Sequence, residues 1–311
     1  MKNAEQARGY LLEYVVMKLL NDADYIIVKK KKIPGRGALH QIDAHGILSI
    51  PTAFIYPIRL IAESKYKKKT IGLSTVRDFV GVIKDISENY FVTSDNQPNT
   101  PERYTDVGCI FSANSFSIDA QKYAWAHNIS LVSFNNNPKM RFILSIIDNF
   151  VREIPLEALT GLSQDQLIEK FQMFEASDTI PEENKTSLGI GILDSTYPVV
   201  IAGDNNWIKD LPIVDFTDDL TGIKIGRSER KNEFIFNLDI KGKIVYFNFP
   251  KFMAKQFIDR IDSSFPGQRV FQLDIPIIKK TNIGSTRRIL KINIQLPLTI
   301  KLPDEEPRQA R

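Results

Sequence analysis

An acid two positions before a lysine is an unusual end to an apolar run. Glu63-Ser64-Lys65 ends "FIYPIRLIAESKY" (54–66) in this way, and a second acid, Asp43, interrupts "HQIDAHGIL" (40–48) a hairpin's length upstream. Alternate side chains of a strand share a face, so Glu63 and Lys65 point one way and Ala62, Ser64 and Tyr66 the other. If 40–48 pairs antiparallel with 59–66, Asp43 lies close to Glu63. Two carboxylates so placed repel and resist ionising together, and a divalent cation relieves the repulsion. Oxygen ligands with open positions suit Mg²⁺ or Mn²⁺, with water and a phosphate completing the octahedron. A metal held there polarises a phosphodiester and lowers the pKa of a bound water. Lys65 is then placed to orient that water or to stabilise the charge of the phosphorane.

The elements that must position these residues are legible from periodicity. Tyr10, Leu11, Tyr14, Val15 and Leu19 recur at helical spacing over 4–20, with Glu13 beside that stripe. "YIIVKKKKI" (25–33) reads as a strand stopped by Pro34-Gly35, 40–48 as a second, and 54–66 as a third in which Pro57 confines regular pairing to the later part. A helix over 74–91 has Val76, Phe79, Val80 and Ile83 on one face and Ser74 as its expected N-cap. A buried strand (106–113), a helix capped by Ser117 (117–128) and a strand (129–134) follow. Three antiparallel strands and then a β-α-β unit predict an α/β domain: a mixed sheet with helices on both faces.

Beyond this the composition changes. We expect a domain over 1–137, a helical connector and linker over 138–187 with a break near Pro155, and a β-rich α+β domain over 188–303. Residues 304–311 read as a disordered tail. Within the β-rich part, Lys241-Gly242 signals a hairpin between 233–240 and 243–249, and 252–261 reads as a helix. The polar stretch 177–187 is the expected linker.

The chain has 311 residues, 43% hydrophobic and 25% charged, as an ordinary globular protein does. A single cysteine, Cys109, excludes an internal disulfide and points to a reducing, cytoplasmic setting. The N-terminal apolar run is short and carries an acid, so it reads as no signal peptide. No segment reaches the roughly 20 apolar residues of a membrane span. A net charge of +4 permits nucleic acid as a partner without arguing for it, but the lysines cluster at 29–32 and 65–69, flanking Asp43 and Glu63.

Five segments in order, "GYLLE" (9–13), "HQIDAHG" (40–46), "AESKYKKK" (62–69), "VRDFVG" (76–81) and "CIFSANSFSIDAQKYAWAHNISLVSF" (109–134), resemble the catalytic domain of Mrr-like restriction endonucleases. Asp43…Glu63-Ser64-Lys65 matches the D…(D/E)-x-K signature of the restriction-endonuclease-like nuclease superfamily. The resemblance covers residues 4–135. It implies a restriction-endonuclease-like mixed sheet flanked by helices and Mg²⁺-dependent cleavage of DNA, in restriction of foreign DNA. It places Asp43, Glu63 and Glu13 on metal, Lys65 in catalysis, and Gln41 beside the site or the scissile phosphate. Ser64 departs from the cysteine of many such domains, on the side away from the site. Cutting both strands of a duplex needs two active sites, so a homodimer or higher oligomer is expected, with a further defence-system protein as a possible partner.

Each residue also has a plainer reading. Glu63 and Lys65 can be an exposed pair of little energetic weight, Asp43 the start of a turn before Gly46, and Glu13 a solvated helix acid. His40 and His45 flank Asp43, but His40 lies on the opposite strand face and no third nitrogen or sulfur ligand is near, which argues against zinc. His127 ends a helix and complements its dipole. Cys109 reads as core, and so do Trp207 and the aromatics of 234–249. The lysine runs can be solvated edge charges. Lys224, Arg227, Arg230 and Lys231 fall in an expected loop that can follow a DNA backbone or simply face water. Two rival functions share the fold: a DNA-binding or assembly subunit that does not cut, and a nuclease acting on RNA or branched DNA.

Overall fold

The computed structural model describes residues 3–27, 32–48, 54–89, 102–177, 179–194, 197–207, 225–240, 242–255, 269–281 and 284–296. The first helix, α1 (Ala4–Asp22), is capped by Asn3, whose side chain accepts from the Gln6 N–H at 2.8 Å. Its buried stripe runs Ala7, Leu11, Leu12, Val15, Val16, Leu19 and Leu20.

Five strands follow in the first half of the chain: β1 (Tyr25–Ile27), β2 (Lys32–Pro34), β3 (Leu39–Gln41), β4 (Ala44–Leu48) and β5 (Ile58–Lys65). Next come α2 (Leu73–Ser87), β6 (Thr105–Ser112), α3 (Ile118–Ala126) and β7 (Ile129–Ser133). The sheet order is β1-β4-β5-β6-β7, antiparallel across β1, β4 and β5 and parallel across β5, β6 and β7. The mixed α/β sheet expected from periodicity is therefore present.

Its two faces are covered differently. α1 packs with Ala44, Ala62, Cys109 and Phe111 on one face. α2 and α3 pack with Ile42, Ile61 and Ile110 on the other. At Gly108 the α2 helix closes so tightly that an added Cβ would lie 3.0 Å from the Phe79 ring.

Several expected boundaries are corrected. The ends of the run 25–33 join different sheets: β1 pairs with β4, whereas β2 pairs with β3 in a separate two-stranded ribbon, and residues 28–31 lie outside the described residues. Residues 40–48 break at Ile42-Asp43, where the chain leaves the ribbon and enters the sheet. α2 is capped at Gly72, and Ser74 lies inside its first turn. Ser117 does cap α3, accepting from the Ala120 N–H at 3.2 Å.

Three helices then form, α4 (Pro138–Glu153), α5 (Leu156–Gly161) and α6 (Gln164–Ala176). Asn137 caps α4 and a Ser163/Gln166 capping box starts α6. The expected linker 177–187 contains a turn at Glu182–Asn184 and a buried Ile180; Asp178 lies outside the described residues.

Among the described residues the second sheet is antiparallel and has seven strands. They are β8 (Thr186–Leu193), β9 (Tyr197–Asp204), β10 (Ile225–Arg230), β11 (Glu233–Ile240), β12 (Lys243–Pro250), β13 (Arg269–Thr281) and β14 (Gly284–Leu296), in the order β10-β11-β12-β9-β8-β13-β14. Gly242 turns the β11–β12 hairpin with φ of 85°, and its N–H donates to Asp239 at 2.7 Å. Arg227 and Arg230 lie on β10 rather than in a loop, because β10 pairs with β11 over its length; Lys224 lies outside the described residues. Residues 251–255 are helical, and 256–261 and the tail 304–311 lie outside the described residues. Trp207, Phe234, Phe236, Phe247 and Phe249 form the core of this half.

The two halves share polar contacts. Gln121 of α3 donates to the Asn232 carbonyl at 2.8 Å and accepts from the Phe252 N–H at 3.0 Å. Ser133 at the end of β7 bonds the Glu233 carboxylate. No helix among the described residues is long and apolar enough to cross a membrane.

Candidate active site

The β4–β5 ladder runs from Ile47↔Arg59 to Ala44↔Ala62 and stops there, because the chain breaks out of the sheet at Asp43. β5 continues through Glu63, Ser64 and Lys65 with β6 still paired on its other side. Three residues of β5 therefore lack a β4 partner on one side. Asp43 fills the first vacancy with its side chain: Oδ2 accepts from the Ser64 backbone N–H at 2.7 Å. A buried backbone donor needs an acceptor, and a carboxylate serves where the ladder carbonyl is missing.

This bond fixes Asp43 beside Glu63. Burial holds the Glu63 carboxyl above its ordinary range, the charge of Asp43 raises it further, and Lys65 pulls against both. Lys65 shares the strand face of Glu63, and its ammonium bonds the Glu63 carboxylate. The site is only partly covered: the Lys65 and Glu63 side chains keep 25% and 21% of their exposure. Lys67, Lys68 and Lys69 follow at the surface and give the rim a positive charge. The Asn114 side chain fixes their loop by donating to the Lys68 carbonyl at 2.6 Å.

Glu13 is placed elsewhere. Its Oε2 accepts from Gln164 of α6 at 3.2 Å, and α1 covers the face of β5 opposite the Glu63 side chain. Among the described residues no three His, Cys, Asp or Glu side chains cluster so as to hold a metal. Gln41 ends β3 opposite Lys32, exposed, two residues before Asp43.

His40 bonds Asp85 of α2 through Nε2 at 2.6 Å. His45 is buried, with its pKa lowered to about 4 by burial and by the Arg59 charge. Burial also pushes the Cys109 thiol well above its usual range, as a core residue requires.

Two contributors escaped the sequence reading. One is the Ser64 N–H, a backbone group with no sequence signal. The other is Asp85, which ties the β2–β3 turn to α2; its signal is the turn "PGRGALH" (34–40), whose N–H groups require an acceptor.

No family model matches the chain, and no curated protein matches it. A solved structure described as a protein of unknown function, AF1548, aligns with 53% of this chain and 96% of its own at 17% identity, with a TM-score of 0.34.

Proposed function

We propose that the chain is a metal-dependent endonuclease that hydrolyses phosphodiester bonds of DNA, acting in restriction of foreign DNA. The observation that carries this reading is the Asp43–Glu63 pair with Lys65 at the open end of β5. Its support from sequence is the D…ExK pattern and the order of the five segments that resemble Mrr-like nucleases; a restriction-endonuclease-like topology is part of the same proposal.

The donor set fits a hard cation. Both candidate ligands are carboxylates, and Mg²⁺ is commonly held by one or two carboxylates with waters and substrate phosphate filling the other positions. Asp43 and Glu63 would hold the ion, and its charge would offset the burial and the Asp43 repulsion that raise Glu63. A bound Mg²⁺ or Mn²⁺ supplies Lewis-acid polarisation of a phosphoryl oxygen and a more acidic water.

The chain's own groups do the rest. Ser64 N–H keeps the Asp43 carboxylate aimed at Glu63. Lys65, freed from Glu63, turns its ammonium to the scissile phosphate and stabilises charge there. Gln41 positions the strand that is cut. Glu13 is given no ligand role, since Gln164 engages its carboxylate. The lysine rim at 67–69 attracts the polyanion. A homodimer in the cytoplasm, cutting both strands, completes the reading, with a defence-system protein as a possible further partner.

A substrate panel tests it. Duplex DNA, single-stranded DNA, a four-way junction and duplex RNA are each incubated with Mg²⁺, Mn²⁺ or EDTA. Internal cuts in duplex DNA that need metal are expected. Tight DNA binding with no cut under either metal contradicts the reaction, and cutting confined to RNA or the junction contradicts the substrate.

A further inference from the structure

The β2–β3 ribbon, Lys32 to Gln41, has two unlike faces. Ile33 and His40 point inward; Ile33 packs with Phe79, Val80 and Ile86, and His40 bonds Asp85. Lys32, Pro34, Leu39 and Gln41 point outward and are exposed, Leu39 at 61%. A cation, an amide and an uncovered leucine lie on one side of the ribbon, and among the described residues none of the three is covered.

The ribbon is held stiffly. The Asp85 carboxylate accepts from the Gly37 N–H at 2.9 Å and the Ala38 N–H at 3.2 Å as well as from His40. The Asp85 backbone carbonyl accepts from the Arg36 N–H at 2.9 Å. Asn89 donates to the Pro34 carbonyl at 3.1 Å. A Cβ added at Gly35 would lie 2.0 Å from Asp85 Oδ2, so the turn fits its anchor with no room to spare. A two-residue step from Gln41 reaches Asp43, so the anchor also fixes the strand end that carries the candidate ligand.

We infer that the outward face of this ribbon, with Arg36 at its turn, lies in the major groove of duplex DNA beside the bond to be cut, and that Asp85 is the positioning residue that sets its angle. The inference rests on the nuclease reading above. The major groove of B-DNA admits a two-stranded ribbon, where glutamine recognises adenine and apolar groups meet the thymine methyl. The deep, narrow major groove of duplex RNA does not admit it, so docking in this way requires a DNA duplex. At about 3.3 Å per residue Leu39 lies at most about 13 Å from Asp43, since the chain turns at Ile42-Asp43, and at 3.4 Å per base pair the ribbon lies within about four base pairs of the cut. Arg36 pairs loosely with Glu88, 3.8 Å apart and both well exposed, a contact DNA can displace.

Duplex binding is measured in EDTA, where no cutting occurs, alongside methylation protection of guanine N7, which reports the major groove. Lys32→Ala is expected to weaken binding to all sequences and lower the salt slope by about one. Leu39→Ala is expected to keep the slope and lose N7 protection within about four base pairs of the cut site. Asp85→Asn is expected to keep the slope but blur the protection. All three variants must melt as the wild type does. Unchanged affinity, slope and protection in the variants overturn the inference while leaving the nuclease reading intact. A wild type that binds duplex RNA as well as DNA overturns the inference too, and one that binds no duplex overturns both the inference and the nuclease reading. Ribbon-dependent protection by a protein that cuts under neither metal upholds the ribbon and overturns the nuclease.

Discussion

Glu63 and Glu233 are both acids whose carboxyl burial raises above the ordinary range, yet their neighbours differ in kind. Glu63 faces a second carboxylate and a lysine at the edge of solvent. Glu233, only 2% exposed, meets neutral donors: Ser133 Oγ, Asn136 at 3.0 Å and Asn248 at 3.3 Å. The first arrangement keeps a repulsion in place that an incoming cation removes. The second already satisfies its acceptors and sits at the seam between the two sheets. On the proposed reading, like charges beside an opening form a site, whereas the satisfied buried acid forms a joint. A raised carboxyl alone does not separate the two.

The strongest way to break this contrast is Glu63→Gln. We expect cleavage to fall about a thousandfold, on the order of removing a group that stabilises transition-state charge, while the melting temperature holds; a plasmid nicking assay and a thermal melt read both. Glu233→Ala should do the reverse. It strips Ser133 and Asn136 of an acceptor, leaves Asn248 only its bonds to Ser133, and costs about 1–3 kcal/mol or more of stability, read by urea unfolding, with cutting per folded molecule unchanged.

Glu233→Gln sharpens the same point through pH. A carboxyl raised on folding contributes stability that is fully present below its ordinary value of 4.5 and is lost as pH rises through the raised value. The glutamine does not titrate. Melting curves should therefore agree near pH 4 and favour the variant progressively toward pH 7. A constant gap would mean that Glu233 does not titrate across that range.

Saturating Mg²⁺ should raise the melting temperature of the wild type by several degrees through mass action. Asp43→Asn should lose that shift and Glu233→Gln should keep it. The smallest effect is expected at Glu13→Gln: cutting within about twofold of wild type, the reach of roughly 0.5 kcal/mol. A far larger loss would put Glu13 in the site.

The two acids were not equally legible in the sequence. Asp43 and Glu63 are brought together by neighbouring antiparallel strands, so alternation and a short connection suffice to pair them. Pro57 likewise marks the start of β5 at Ile58. Glu233 owes its character to Ser133 and Asn136, about a hundred positions away in the chain, and no local pattern announces such a contact. Asp85 is hidden for the same reason, 45 positions from His40. The break at Asp43 has no local signal, because "HQIDAHGIL" keeps a strand's composition through it. The charged sequence of β10 carries a loop's composition and takes strand form by pairing with β11.

One experiment bears most directly on the site. Supercoiled plasmid is incubated at low salt with wild type, Asp43→Ala, Lys65→Ala and Glu233→Gln, each in Mg²⁺, Mn²⁺ and EDTA. Metal-dependent cutting by wild type and Glu233→Gln, absent from both other variants, is the expected result. Cutting that survives Asp43→Ala and Lys65→Ala, or that proceeds in EDTA, would contradict the assignment of Asp43, Glu63 and Lys65.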